Sequence, residues 1–156
     1  MLKNANRIYI LSRGLTELVA QEFGLKLQIL GYNIFSISDP AIMQKITNEI
    51  KQDELLFVFS LSGHTEELIS SVENAVSLGA KIVCCTCGHD DAPLATLAQV
   101  TLFGYKHQHV SIKKVDVTSR FPLYVLSRII IDYLALQQNQ DNEKAKKKVT
   151  NKRQFS

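Results

Sequence analysis

Residues 60–65 read Ser-Leu-Ser-Gly-His-Thr, three hydroxyl side chains and a glycine within six positions. Ser60, Ser62 and Thr65 each carry an O–H donor, and Gly63 lets the backbone approach a ligand oxygen closely. Glu66 and Glu67 follow as first-turn helix acids. Hydroxyls, a glycine and the free N–H groups of a starting helix together make an anion site, and a phosphate monoester fits them. Capping of the helix by Ser62 accounts for one hydroxyl but needs neither Ser60 nor Thr65. A second short loop, Ser12-Arg13-Gly14-Leu15-Thr16, again combines hydroxyls with a glycine.

Known phosphate signatures narrow the choice. There is no GxxxxGK[ST], so a nucleotide P-loop is not expected. There is no GxGxxG after the first strand either: Ser12, Gly14 and Glu17 occupy those places. No cofactor is expected.

Other reactive side chains are fewer. Moving a proton between neighbouring carbons needs a positioned base. Glu17 and His64 are the nearest candidates, with His107 and His109 behind them, and none is forced into a catalytic role. His107 and His109 form a His-x-His pair without carboxylate or cysteine support, which reads as surface rather than metal. Cys84, Cys85 and Cys87, followed by His89, lack the second ligand pair of a zinc site. Adjacent strand residues point to opposite faces, so the thiols read as small apolar groups at a buried strand end. No metal is expected.

The elements that position these residues follow from hydrophobic period. RIYIL (7–11), NIFSI (33–37), ELLFVF (54–59), AKIVCCT (80–86) and QVTLF (99–103) are apolar runs of strand length. Helices are predicted over 15–30, from Asp39-Pro40 onward, over 64–78, over 93–97 and over 119–137. The 15–30 helix carries more apolar positions than one core-facing stripe requires, which predicts a homodimer or higher homo-oligomer. KHQHVSIKKVD (106–116) reads as irregular. Strands without polar alternation, separated by helices, indicate a parallel sheet covered on both faces. The predicted fold class is three-layer, doubly wound α/β with five parallel strands in the order 2-1-3-4-5. That order sets the loops 11–16 and 60–65 side by side at the carboxyl ends of strands 1 and 3.

Composition agrees. The chain has 156 residues, 46% hydrophobic and 21% charged, enough for one domain with its own core. Residues 139–156 hold six Lys/Arg against Asp141 and Glu143, and removing that surplus of four turns the net +3 into −1 for the body. The domain therefore spans 1–138, followed by a basic tail over 139–156 that is expected to be solvated and disordered. A body of that charge is not a basic nucleic-acid surface. No apolar run is long enough to span a membrane, and no signal peptide is visible, so the cytoplasm is the default and no membrane partner is expected.

These motifs resemble the SIS (sugar isomerase) domain. Its S-x-S-G-x-T loop is matched in full by residues 60–65. Its G-x-G-x-S loop is matched by Ser12–Thr16 with one glycine replaced and Thr for Ser. Its Thr-loop-S-P-L-A segment is matched by Thr86 and Ala92-Pro93-Leu94-Ala95. Within that family the chain looks most like the C-terminal phosphosugar-binding domain of RpiR-type transcriptional regulators, through GYNIFSISDP, LGAKIVCCT and Ser119-Arg120. The resemblance implies that Ser60, Ser62, Gly63, His64 and Thr65, with Ser12, Gly14 and Thr16, bind a sugar phosphate. It implies an effector-sensing domain rather than an enzyme, meeting DNA only through a helix-turn-helix domain absent from this chain. A small sugar-phosphate aldose–ketose isomerase is the alternative, and a module serving only dimerisation is a third.

Overall fold

A computed structural model describes residues 1–105 and 108–154. Five strands form one parallel sheet: β1 (Arg7–Leu11), β2 (Ile34–Ile37), β3 (Glu54–Ser60), β4 (Lys81–Thr86) and β5 (Val100–Phe103). Their order is β2-β1-β3-β4-β5, as the alternation of strand and helix predicts. Every residue of β3 is buried. That strand pairs with β1 from Arg7↔Glu54 to Leu11↔Val58, and with β4 from Leu55↔Lys81 to Ser60↔Thr86.

Helices cover both faces. On one side lie α1 (Glu17–Ile29) and α5 (Phe121–Gln154). Phe23 and Leu27 of α1, and Leu123 and Leu134 of α5, pack there on Ile8, Ile10, Phe57 and Phe59. Phe23 meets Phe57 at 4.9 Å and Phe59 at 5.2 Å between ring centroids, within the range where aromatic pairs add to burial. On the other side lie α2 (Pro40–Thr47), α3 (Glu66–Ser77) and the short α4 (Pro93–Leu97). Met43, Leu68, Val72 and Leu94 pack there on Leu11, Leu56, Val58 and Ile82. Asp39 caps α2 by accepting the Ile42 N–H at 3.0 Å, and Pro40 takes the first helical position.

Two segments differ from the sequence reading. The stretch read as irregular contains a hairpin of β6 (Ser111–Ile112) and β7 (Val115–Asp116). Its two-residue turn holds Lys113 and Lys114 at φ +49° and +66°, the handedness that tight hairpins require. Two-residue strands and a Lys-Lys turn leave no period and no Asn-Gly signal to read. The segment expected to be a disordered tail instead continues α5 through Gln154. Its Ala, Glu, Gln and Lys are good helix formers, and intrinsic propensity carries the helix past the end of the apolar pattern. Among the described residues, no helix is long and apolar enough to cross a membrane.

Phe57 is fully buried and touches two further rings. Replacing it with Ala is expected to cost about 3–5 kcal/mol, read as a lowered midpoint in urea unfolding with an unchanged slope.

Candidate functional site

The carboxyl ends of β1, β3 and β4 present three loops at one edge of the sheet. The loop after β3 is Leu61–Thr65. Ser60 is buried, and its Oγ accepts the Gly63 N–H at 3.1 Å and lies 3.5 Å from Thr65 Oγ1. Ser62 is exposed, and its Oγ accepts the His64 N–H at 3.2 Å, which leaves its O–H free to donate. Gly63 sits at φ +75°, where a side chain would be strained. Thr65 holds the N-cap position of α3, yet no side chain caps that helix. The first N–H groups of α3 are therefore left without a side-chain cap at the end of the hydroxyl loop.

The loop after β4 braces this arrangement. Cys87 N–H donates to Leu61 O at 3.0 Å, and Leu94 N–H donates to Gly63 O at 3.2 Å. Gly88 packs against Ser62 so closely that a Cβ there would lie 2.3 Å from the Ser62 carbonyl oxygen. Gly63 packs likewise against Ala92 and Thr86. The Thr86 and Ala92–Ala95 segment thus holds the backbone of the hydroxyl loop.

The loop after β1 lies beside it, as the strand order requires. Gly14 is exposed at φ +57°, whereas Ser12 and Thr16 are only 2% and 3% exposed. Arg13 ties the loops together: it donates to Ser38 O at 2.7 Å and pairs with Glu67 of α3 at 3.5 Å. Glu17 begins α1.

A cavity of about 210 Å³ opens on the β4 side of the hydroxyl loop. Ser62 and His64 line one wall, His89 the next, and His109, Asp116 and Thr118 of the hairpin region the third. Ser12, Gly14, Thr16 and Glu17 do not line it. His64 Nδ1 lies 2.8 Å from Ser62 O; a carbonyl only accepts, so Nδ1 carries the proton. Asp116 accepts the Thr118 N–H at 2.9 Å and pairs with Arg120 at 3.4 Å. Partial burial works against its charge, but the Thr118 hydrogen bonds, Arg120 and His109 outweigh that and hold its carboxyl below the ordinary value. This anchorage is present at neutral pH and is lost as pH falls through that lowered value.

Of the remaining candidates, Cys87 lines the cavity, whereas Cys84 and Cys85 are buried within β4. His107 lies outside the described residues. Burial raises the Cys84 thiol to about 12 and the Cys87 thiol to about 11, and Cys85, buried beside both, is raised well above its ordinary value. All three are therefore neutral packing groups at pH 7. Among the described residues, no three His, Cys, Asp or Glu side chains are placed to share a metal ion. Sequence reasoning did not single out Arg13, Gly88, Asp116 or Thr118 for the site. Their roles rest on partners distant in the chain, or on a hairpin without a sequence signal.

The model of the SIS domain matches residues 1–127. A search of known proteins finds an uncharacterised HTH-type transcriptional regulator of Clostridium perfringens, 26% identical over 152 residues, covering 96% of this chain and 52% of the relative. The chain thus spans about half the length of that relative. Among solved structures, the Vibrio vulnificus NanR protein complexed with ManNAc-6P superposes with a TM-score of 0.80 at 18% identity, over 95% of this chain and 55% of that one. The sugar isomerase domain of an RpiR transcription factor from Sphaerobacter thermophilus gives 0.78 at 14% identity, over 96% and 81%. At these identities the structural likeness shows the fold.

Gly88→Ala is expected to displace the hydroxyl loop, because its Cβ meets backbone rather than a movable side chain. Overpacking of this kind costs about 1–3 kcal/mol and should appear as a lower melting temperature. New amide shifts at residues 61–65 in a ¹H–¹⁵N spectrum would locate the displacement.

Proposed function

The chain belongs to the SIS domain family, and from that premise we propose that it is a sugar-phosphate-sensing domain of an RpiR-type bacterial transcriptional regulator. The observation that carries this reading is the hydroxyl loop. Ser60, Ser62 and Thr65 belong to the segment that leads into the uncapped start of α3, an arrangement suited to a phosphoryl group. Ser12, Gly14 and Thr16, from the neighbouring loop, are assigned to the same ligand as the family motif implies. Binding alone uses these loops and needs no catalytic group. In this reading the domain works in the cytoplasm, and DNA is met through a helix-turn-helix domain rather than through the SIS fold.

Aldose–ketose isomerisation is the second reading, and His64 favours it. With Nδ1 protonated toward Ser62 O, Nε2 is the basic nitrogen at the wall of the cavity.

The domain is further proposed to act as a homodimer through α1 and α5. Phe121, Val125, Ile129, Tyr133 and Leu136 are exposed at helical spacing along α5, and Leu25 and Ile29 are exposed on α1, Ile29 to 84%. A groove of about 630 Å³ between residues 1–4 and α5 is lined by Ile129, Ile130, Tyr133 and Leu134. An apolar stripe of this length on a helix packed to the sheet by its opposite side suits a self-complementary contact.

A thermal-shift screen of sugar phosphates against their unphosphorylated parents tests the binding reading, since a ligand that binds only the folded state raises the melting temperature. Stabilisation by at least one phosphorylated sugar is expected, and none by any would sink it. NMR of that sugar after incubation separates sensing from isomerisation. Ser62→Ala is expected to lose about 1.5–3 kcal/mol of phosphate affinity. Ser70→Ala serves as control, because Ser70 bonds Gln44 and Glu67 O instead. Ile129→Glu should convert a dimer to a monomer in light scattering; a wild-type monomer at high concentration counts against the pairing.

A further inference from the structure

We propose that the β6–β7 hairpin region is the part of the site that reads the sugar, with His109 and Asp116 as its ligand-selecting side chains. This rests on the phosphosugar reading and extends it to residues that the loop motifs do not contain. The hydroxyl loop supplies donors for a phosphoryl group but little to distinguish one phosphate ester from another. The cavity beside it has a different chemistry. Ser62 and His64 form the wall shared with the hydroxyl loop, and His109, Asp116 and Thr118 face them. Of the hydroxyl loop, Ser62 and His64 line the cavity while Ser60, Gly63 and Thr65 do not, so a phosphoryl group held at Ser62 leaves the rest of the ligand to extend toward the hairpin.

The hairpin is built to hold its groups still. Arg120, at the start of α5, pairs with Asp116 Oδ2 and donates to the backbone carbonyls of Asp116 and Thr118. Thr118 Oγ1 accepts the Val110 N–H at 2.8 Å, and Val117 N–H donates to Val110 O at 2.9 Å. His109 Nδ1 lies 3.4 Å from Thr118 Oγ1 and 3.7 Å from Asp116 Oδ1. Both histidine rings are therefore held through Nδ1, so Nε2 is the atom each offers to a ligand. Asp116, ionised, only accepts, and its charge is already balanced by Arg120. A fixed carboxylate acceptor flanked by imidazole nitrogens suits neighbouring sugar hydroxyls, which donate to the carboxylate and exchange hydrogen bonds with the rings. The ligand class is a polyhydroxylated sugar phosphate whose hydroxyls lie at the end away from the phosphate.

Calorimetric titration of the whole chain with inorganic phosphate and with a panel of hexose 6-phosphates and pentose 5-phosphates tests this. The readout is the ratio of the tightest sugar-phosphate affinity to that of inorganic phosphate. Asp116→Asn preserves shape, and His109→Ala removes a side chain that is 71% exposed, so both variants are expected to fold. Each is expected to lower that ratio about tenfold, the worth of one lost hydrogen bond to a charged or polar partner. Ser62→Ala, in contrast, should weaken phosphate and sugar phosphate together. An unchanged ratio in both hairpin variants overturns the proposal while leaving the phosphate loop standing. If wild type binds neither phosphate nor any sugar phosphate, the phosphosugar reading falls and this inference falls with it.

Discussion

Everything at the site depends on the register of β3 between β1 and β4. That strand is buried along its whole length and hydrogen-bonded on both edges. Its last residue, Ser60, pairs with Thr86, the last residue of β4. The register sets where each chain leaves the sheet, so the hydroxyl loop and its brace emerge at one level and can bond each other. A slip of one residue would turn every side chain of β3 to the opposite helix layer. Phe57 and Phe59 on one side, and Leu56 and Val58 on the other, oppose such a slip through their packing.

The loops then divide the work. One offers hydroxyls and open helix N–H groups. A second packs Gly88 against the Ser62 carbonyl and Thr86 and Ala92 against Gly63, and keeps the first from relaxing. The third reaches across through Arg13, whose contacts with Ser38 O and Glu67 join the ends of β1 and β2 to α3. That pair also places a cation beside Glu67 at the start of α3. Being partly exposed, it is worth little as a stability term, and its geometric role is the larger one.

Most of the architecture was legible in the sequence, because long apolar runs alternating with helical periods leave few alternatives. The Asp39-Pro40 helix start and the short helix at Pro93 were legible through cap and proline chemistry. The loop after β3 was legible as a loop because its signal is local, three hydroxyls and a glycine within six residues. The hairpin was not, since two-residue strands have no period and Lys113-Lys114 is an uncommon turn pair. Arg13 with Glu67, and Arg120 with Asp116, take their meaning from three-dimensional neighbours. The first pair is separated by most of two β-α units, and the second depends on a hairpin that periodicity misses. The helical continuation beyond residue 138 was hidden because charge composition signals solvation and says little about backbone shape.

One feature of α5 reaches beyond packing. The helix begins just after Arg120, the residue that clamps the cavity wall, and runs 34 residues to Gln154. At 1.5 Å per residue that is a rod about 50 Å long, and a tilt of about 5° at one end moves the other by about 4 Å. Along its first half, the same rod carries the exposed apolar stripe. The residue that clamps the cavity wall thus sits directly before a helix that carries the apolar stripe on its surface.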